Sequence, residues 1–262
     1  ILDDFEKYNV NTETIQVESG ANSGVATILV KQSTGERAVF FERSTATEPV
    51  FLEAHKQLIE SAYILHINGR HRQLMRSAMA LAKEVGTIIS LDGGAQRYDE
   101  DMKPITEGSH IVIVARDYAE KYTGTTNLED ACRIIHERGA FIAGVTDGAN
   151  GSYFVWPDGT SYRCEPFTQA TVVDTTGAGD SFHGAFLAML TKTLCKIADG
   201  TNTSTMNETS PSLNAIDLLH SCAHEDLEKA ATFASAVAAL NTQGIGGRSP
   251  LPSLEDIKAL IG

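Results

Sequence analysis

The sequence predicts an α/β fold, a doubly wound, mainly parallel sheet with a small β hairpin set apart from it. Three observations carry this. From Ala54 onward, short apolar stretches alternate with stretches of helical period. Before that, Thr14 to Phe41 is rich in β-branched residues and weak in helical period. And 262 residues suit one large α/β domain, or one domain with a small appendage.

The elements follow in order. Leu2, Phe5 and Tyr8 read as one face of a helix, although the chain opens on Ile1. "GVATILV" and "ERAVFFE" flank the polar turn "KQSTG", which ends in Gly35, so Gly24 to Glu42 is expected to be a β hairpin. Its alternating Ile28, Val30, Val39 and Phe41 exceed what a lone hairpin can cover. "AYILHI" is a short apolar strand. "RQLMRSAMALAKEVG" is a helix with Leu74, Ala78, Leu81 and Ala82 on one face and Gly86 closing it. "TIISL", "HIVIVA" and "AFIAGV" are strands, separated by helices at "RDYAEKYTG" and at Leu128 to Arg138. "SYFVW", "PDGT" and "SYRCE" form a hairpin. "TVVD" is expected to end a strand, and helices are expected near Asp180 to Lys192, Leu227 to Leu240 and Ser253 to Leu260. Ala198 to Asn214 is polar and reads as an exposed loop. Its triplets at Asn202 and Asn207 look like glycosylation signals but stand without a secretory signal, and are read as chance. In such a sheet, ligands bind beyond the carboxyl ends of the strands.

The net charge of −13 argues against nucleic-acid and anionic-membrane partners. The longest uncharged apolar run, around Ala230 to Leu240, is too short to span a bilayer. Cys132, Cys164, Cys195 and Cys222 are far apart, without a C-x-x-C pair. That pattern favours reduced thiols and a cytoplasmic location over a disulfide framework or a zinc site.

The chemistry concentrates in "VVDTTGAGDSFHGAF", Val172 to Phe186. Gly177, Ala178 and Gly179 make a corner, and Asp180 opens an apolar helix. The first amides of a helix lack internal partners and sit at the positive end of its dipole, so the corner suits a phosphate-like anion. A carboxylate beside that anion can take a proton from an incoming hydroxyl, as phosphoryl transfer requires. The short pattern also fits a plainer role, with Thr175 or Thr176 capping the helix and Asp180 favouring its dipole.

"DTTGAGDSFHGAF" resembles the C-terminal signature of the ribokinase-like (PfkB-type) carbohydrate kinases. The resemblance covers nearly the whole chain. The hairpin at Gly24 to Glu42 is similar to the family's lid, which closes over sugar and in many members pairs two subunits. "VTDGANGSYFV" resembles the nucleotide-side segment, and "FASAVAALNTQGIGG" the late helix and loop beside the adenine. "LHINGRH" and "VIVARDYAEKYTG" look closest to the ketohexokinase-like branch. The resemblance implies one ribokinase-like domain over 1–262, with a β lid at about 14–46, and an ATP-dependent sugar kinase using Mg2+. It implies that Asp180 is the catalytic base and contacts the sugar, and that the amides of Gly177, Ala178 and Gly179 form the anion hole. Arg70 would reach the transferring phosphate. Thr146, Gly148, Gly151 and Gly244 would line the nucleotide site. It also implies a homodimer joined at the lids.

Two departures stand out. Many members carry an "N-x-x-E" segment that organises magnesium; here Ala115 and Tyr118 take those places, as in the ketohexokinase-like branch. Metal would then be held by nucleotide phosphates and water, with Asp92 and Asp174 as outer-shell candidates or simple turn residues. No metal ligand is assigned within the chain. Second, the family's first strand and early sugar-binding segment have no counterpart here, so the chain is expected to belong to a longer gene product or a processed form. A truncated or pseudokinase that binds nucleotide or dimerises without turnover is therefore a second reading. A third, "GDS" at Gly179 to Ser181 with Asp217 and His220, resembles a GDSL-type hydrolase triad. The cluster His220, Cys222 and His224 has spacing that does not bring all three onto one helical face. His183 reads as packing or solvated.

Overall fold

A computed structural model describes residues 2–30, 37–168, 171–202, 214–248 and 251–262. The hairpin turn at Lys31 to Gly35, most of the polar stretch after Asn202, and the side chains of Val30 and Val39 lie outside the described residues. The chain forms two compact units, Ile1–Leu58 and Ile59–Gly262.

The first unit holds a short helix, α1 (Leu2–Glu6), and an antiparallel pair, β1 (Val25–Val30) and β2 (Arg37–Glu42). The register pairs Ala26 with Phe41 and Ile28 with Val39, so Ile28 and Phe41, of the expected apolar set, share one face of the ribbon. Leu29 and Phe40 fall on the other face, which the alternation did not foretell. The strand-like pattern from Thr14 does not become a strand. Side chains join the two flanking segments instead of a backbone ladder. Gln16 donates to Val50 O at 2.8 Å and accepts the Val50 amide at 3.2 Å. Glu18 accepts from both the amide and the hydroxyl of Thr47, at 2.7 and 2.9 Å. These bonds, the backbone one first, hold the Glu18 carboxyl below the ordinary range. The expected apolar face near the start is not buried: Leu2 and Tyr8 are exposed.

Helix α2 (Glu53–Ser61) leads into the second unit. There β3 (Ile64–Ile67), β4 (Ile88–Gly93), β5 (Ile111–Ala115) and β6 (Ile142–Thr146) run parallel. β7 (Ser152–Val155) and β8 (Ser161–Cys164) complete the sheet antiparallel, in the strictly sequential order β3 to β8. The parallel strands are joined by α3 (Arg72–Val85), α4 (Lys103–Glu107), α5 (Arg116–Thr123) and α6 (Leu128–Glu137). Right-handed crossovers that always step in one direction put these helices on one face. The other face is covered by α7 (Ala178–Asn202), α8 (Ala215–His220), α9 (His224–Asn241) and α10 (Leu254–Ile261). Strand alternation divides the residues between the layers. Ile111 and Ile113 join the α7–α9 core, with Phe154, Trp156, Phe182, Phe186 and Ala234. Val114 faces Tyr118 of α5, so close to Gly93 that a β-carbon there would lie 2.3 Å from a Val114 methyl.

Three expectations are corrected here. "TVVD" is irregular, with Val172 and Val173 63% and 50% exposed; a strand at that place would have to bury them. The helix expected at Asp180 to Lys192 runs on to Asn202, so the first residues of the expected polar loop are helical. The loop's end at Asn214 is a helix cap: Asn214 accepts from the Asp217 amide, while Asp217 accepts from the Asn214 amide.

Candidate active site

The parallel strands bring several polar residues to their carboxyl ends, the place where open α/β sheets bind ligands. Arg70 follows β3, Asp92 lies near the end of β4, and Thr146 ends β6. Arg70 is exposed, and its amide donates to Asn68 Oδ1 at 3.2 Å.

The segment from Asp174 to Asp180 is held by the loop after α9. Asp174 accepts from the Thr176 amide at 2.9 Å and, through its other oxygen, from the Gly246 amide at 3.0 Å. Val173 and Asp174 amides both donate to Thr242 O, and Asn241 donates to Thr176 O at 3.3 Å. Gly177 has φ 78° and packs on Gly247; a β-carbon would sit 2.5 Å from the Gly247 α-carbon. This is a corner only glycine fits. The Ala178 amide turns back to Thr175 O at 3.3 Å. The amides of Gly177, Gly179 and Asp180 have no hydrogen-bond partner among the described residues. Asp180 is exposed, in the first turn of a 25-residue helix.

Beside this corner lies a mainly apolar cleft of about 470 Å³. Thr146, Gly148 and Gly151 line it from one side, Ala178, Gly179 and Phe182 from α7, Ala238 from α9 and Thr242 just beyond the end of α9. Gly148 has φ 52° with open space around it, while Gly151 lies tight against Cys164 O. Gly244 is not among the lining residues. Neither Asp180 nor Arg70 lines this cleft, so the sheet end carries two neighbouring features, a cleft and an exposed carboxylate.

A buried polar cluster accompanies them. His183 is not solvated: it is 4% exposed, and its Nε2 stands 3.3 Å from Asp92 Oδ1. Arg97 reaches to 3.8 Å from the same carboxylate. Burial alone would raise the Asp92 carboxyl, but His183, Arg97 and His66 outweigh it and hold it below the ordinary range. Sequence reasoning treated Asp92 and His183 separately. The signal available was Asp92 at a strand end and His183 three residues after Asp180.

The rival groupings do not assemble. Ser181 donates to Ala178 O, Asp217 is spent on its helix cap, and His220 packs on Phe141 with ring centroids 4.1 Å apart. His224 pairs with Asp158 at 3.3 Å, away from Cys222, whose thiol burial pushes up to about 11. Among the described residues, no group of three or more His, Cys, Asp or Glu side chains is placed to hold a metal ion. No helix among them is long and apolar enough to cross a membrane.

A family model described as pfkB family carbohydrate kinase matches residues 1–254. The chain belongs to this family. Among pfkB relatives, probable fructokinase-5 of Arabidopsis thaliana is 30% identical over 206 residues, covering 72% of this chain. The match spans 62% of that relative's own length. Probable fructokinase-2 of the same plant is 28% identical, covering 98% of this chain and 74% of its own. A ribokinase structure from Giardia lamblia superposes with a TM-score of 0.77 at 18% identity, covering 98% of this chain and 78% of its own. A fructokinase structure with bound ATP from Xylella fastidiosa gives 0.75 at 22%, covering 99% and 79%. At these identities the superpositions show a shared ribokinase-like fold. These relatives carry fructokinase and ribokinase names, so the ketohexokinase-like branch rests on "LHINGRH" and "VIVARDYAEKYTG" alone.

Proposed function

We propose that this pfkB chain acts as an ATP-dependent sugar kinase, with a ketohexose, pentose or related sugar as acceptor. The observation that carries this reading is Asp180, exposed in the first turn of α7, directly after a glycine corner whose amides are open. The fructokinase and ribokinase relatives support the substrate class.

The cleft fits a nucleoside: it is mainly apolar, and Gly148 and Gly179 leave room where side chains would intrude. Thr146, Gly148 and Gly151 would hold the nucleotide, with Gly244 nearby in the loop after α9. ATP bound there would supply the phosphoryl group, with Mg2+ held on its phosphates. The amides of Gly177, Ala178 and Gly179, at the positive end of the α7 dipole, would stabilise negative charge on the transferring group. In this role Ala178 gives up a long turn bond of 3.3 Å. Arg70 would add a cation from the end of β3. Asp180 takes the proton of the sugar hydroxyl as its oxygen bonds to phosphorus and the bond to the ADP oxygen breaks. The four cysteines are all free, which supports a reducing, cytoplasmic setting.

The test is ADP release by this chain across a panel of ketohexoses, aldohexoses, pentoses and nucleosides. Asp180→Asn should lower kcat by at least about 10²-fold, with nucleotide affinity nearly unchanged. Equal turnover by variant and parent overturns the assignment. Nucleotide binding without turnover on any sugar would leave a binding protein.

We also propose that the β1–β2 hairpin, the lid of the family pattern, joins two copies of the chain.

A further inference from the structure

Asp180 and His183 share the first turns of α7, three residues apart and hence on nearly one side of the helix. Asp180 faces solvent, whereas His183 points inward and meets Asp92 across 3.3 Å. Both partners are deeply buried, at 4% and 8% exposure. Ionisable groups at such depth persist where they are paired, and removing one partner is costly. Two further strand-end groups close the cluster. The His66 ring lies 5.6 Å from that of His183, with its Nδ1 3.3 Å from Ser90 Oγ. Arg97 faces Asp92 and also donates to Asn68 O at 3.2 Å. Asp180 is near enough to His66 to act on its charge. Strands β3 and β4 and helix α7 are thus linked by polar groups at the carboxyl end of the sheet, on the Asp180 side.

The rest of the helix is held differently. Phe182, Phe186, Leu190 and Leu194 pack into the apolar core. Apolar packing is non-directional, and alone it tolerates small rotations of a helix about its axis. A hydrogen bond is directional. Among the described residues, His183 to Asp92 is the one ion pair or side-chain hydrogen bond that joins the first two turns of α7 to the sheet.

We propose that Asp92 and His183 are positioning residues: together they fix the rotation of the first turn of α7 and so set where Asp180 presents its carboxylate to the sugar hydroxyl. The proposal rests on the sugar-kinase reading for the role of Asp180. A general base must stand within about 2.6–3.2 Å of the proton's donor atom. A displacement of about 1 Å at the reacting groups costs about 10²-fold in rate.

Three variants test it. In His183→Gln the side-chain amide nitrogen can take the place of Nε2 and donate to Asp92. In His183→Leu only bulk remains. The double variant Asp92→Asn/His183→Leu removes donor and charge together, so no buried carboxylate is stranded and the fold is retained. On sugar-dependent ADP release, His183→Leu and the double variant should each lose about 10²-fold in kcat, with the KM for ATP nearly unchanged. His183→Gln should stay within about threefold of the parent. Equal losses in the Gln and Leu variants, or a loss confined to KM, overturn the proposal. Amide hydrogen exchange at Asp180 to Gly184, measured on the same proteins without substrate, should be faster by about tenfold in the double variant and near the parent's in His183→Gln. Unchanged exchange in the double variant overturns the proposal even where no sugar is turned over. Absence of turnover by the parent with faster exchange in the double variant would instead sink the kinase reading and keep the mechanical tie.

Discussion

His66 shows how one side chain at the sheet end couples chemistry to stability. The residue is exposed overall, yet its ring is desolvated by its neighbours, and this first, then His183, pushes it down to about 4, against opposing pulls from Asp92 and Asp180. Its folded pKa is below the ordinary 6.5, so between these values the unfolded chain binds more protons than the folded one. The contribution is fully present above pH 6.5 and is lost as pH falls toward 4. Asp92 is shifted the other side of that window: its contribution fades only as pH falls below the ordinary 3.8. His66→Asn can keep a bond to Ser90 but cannot titrate. Urea unfolding midpoints at pH 7.5 and pH 4.5 should therefore differ less for His66→Asn than for the parent. Parallel shifts in the two proteins would show that the ring is not held neutral. Solvent around the exposed edge limits the size of the effect.

At the scale of elements, the proposed anion corner is two loops fastened together. Asp174 ties Thr176 to Gly246, and Gly177 nests on Gly247. Gly177→Ala meets two penalties, a left-handed φ of 78° and a β-carbon 2.5 Å from Gly247. The cost should be at least about 1–3 kcal/mol, seen as a lower urea midpoint, with nucleotide affinity falling in the fraction that remains folded. Stability equal to the parent would mean that the two loops part freely. The fastening also explains what the sequence could and could not reveal. The glycines and Asp180 were legible because the corner is contiguous, from Gly177 to Asp180. Strands β3 to β6 were legible because each is a short apolar run bounded by polar residues, and β7 and β8 because the turn "PDGT" lies between them. The bridge from Asp174 to Gly246 spans 72 residues, and His183 to Asp92 joins a helix to a strand far upstream. No local period encodes either. "TVVD" misled for a related reason: β-branched residues usually fill strands, but here Thr242 O takes the Val173 and Asp174 amides and keeps the segment off the sheet. Helices α4 and α8 are five and six residues long, too short to show a helical period.

At the scale of the whole molecule, the hairpin of the first unit presents apolar surface on both faces. Val25, Leu29, Phe40 and Phe41 are 56%, 58%, 61% and 51% exposed. The register puts Phe41 with Ile28 on one face, and Leu29 with Phe40 on the other. Two six-residue strands bury too little to be stable alone. The polar links from Gln16 to Val50 and from Glu18 to Thr47 brace the base of the ribbon and leave its faces open. Exposed apolar side chains of this kind on a chain of net charge −13 favour a partner that brings apolar surface of its own, and a second copy of the hairpin does so. Each copy would cover one face of the other, as an isologous contact requires. Light scattering at micromolar concentration should give twice the chain mass. Phe41→Glu places like charges across the two-fold contact and should give the single mass, with the far-ultraviolet spectrum unchanged because the second unit keeps its own core. Phe40→Glu, on the opposite face, should leave the dimer intact if the face bearing Phe41 and Ile28 is the one covered. A parent that is monomeric, or a dimer that survives both substitutions, removes the hairpin as the interface.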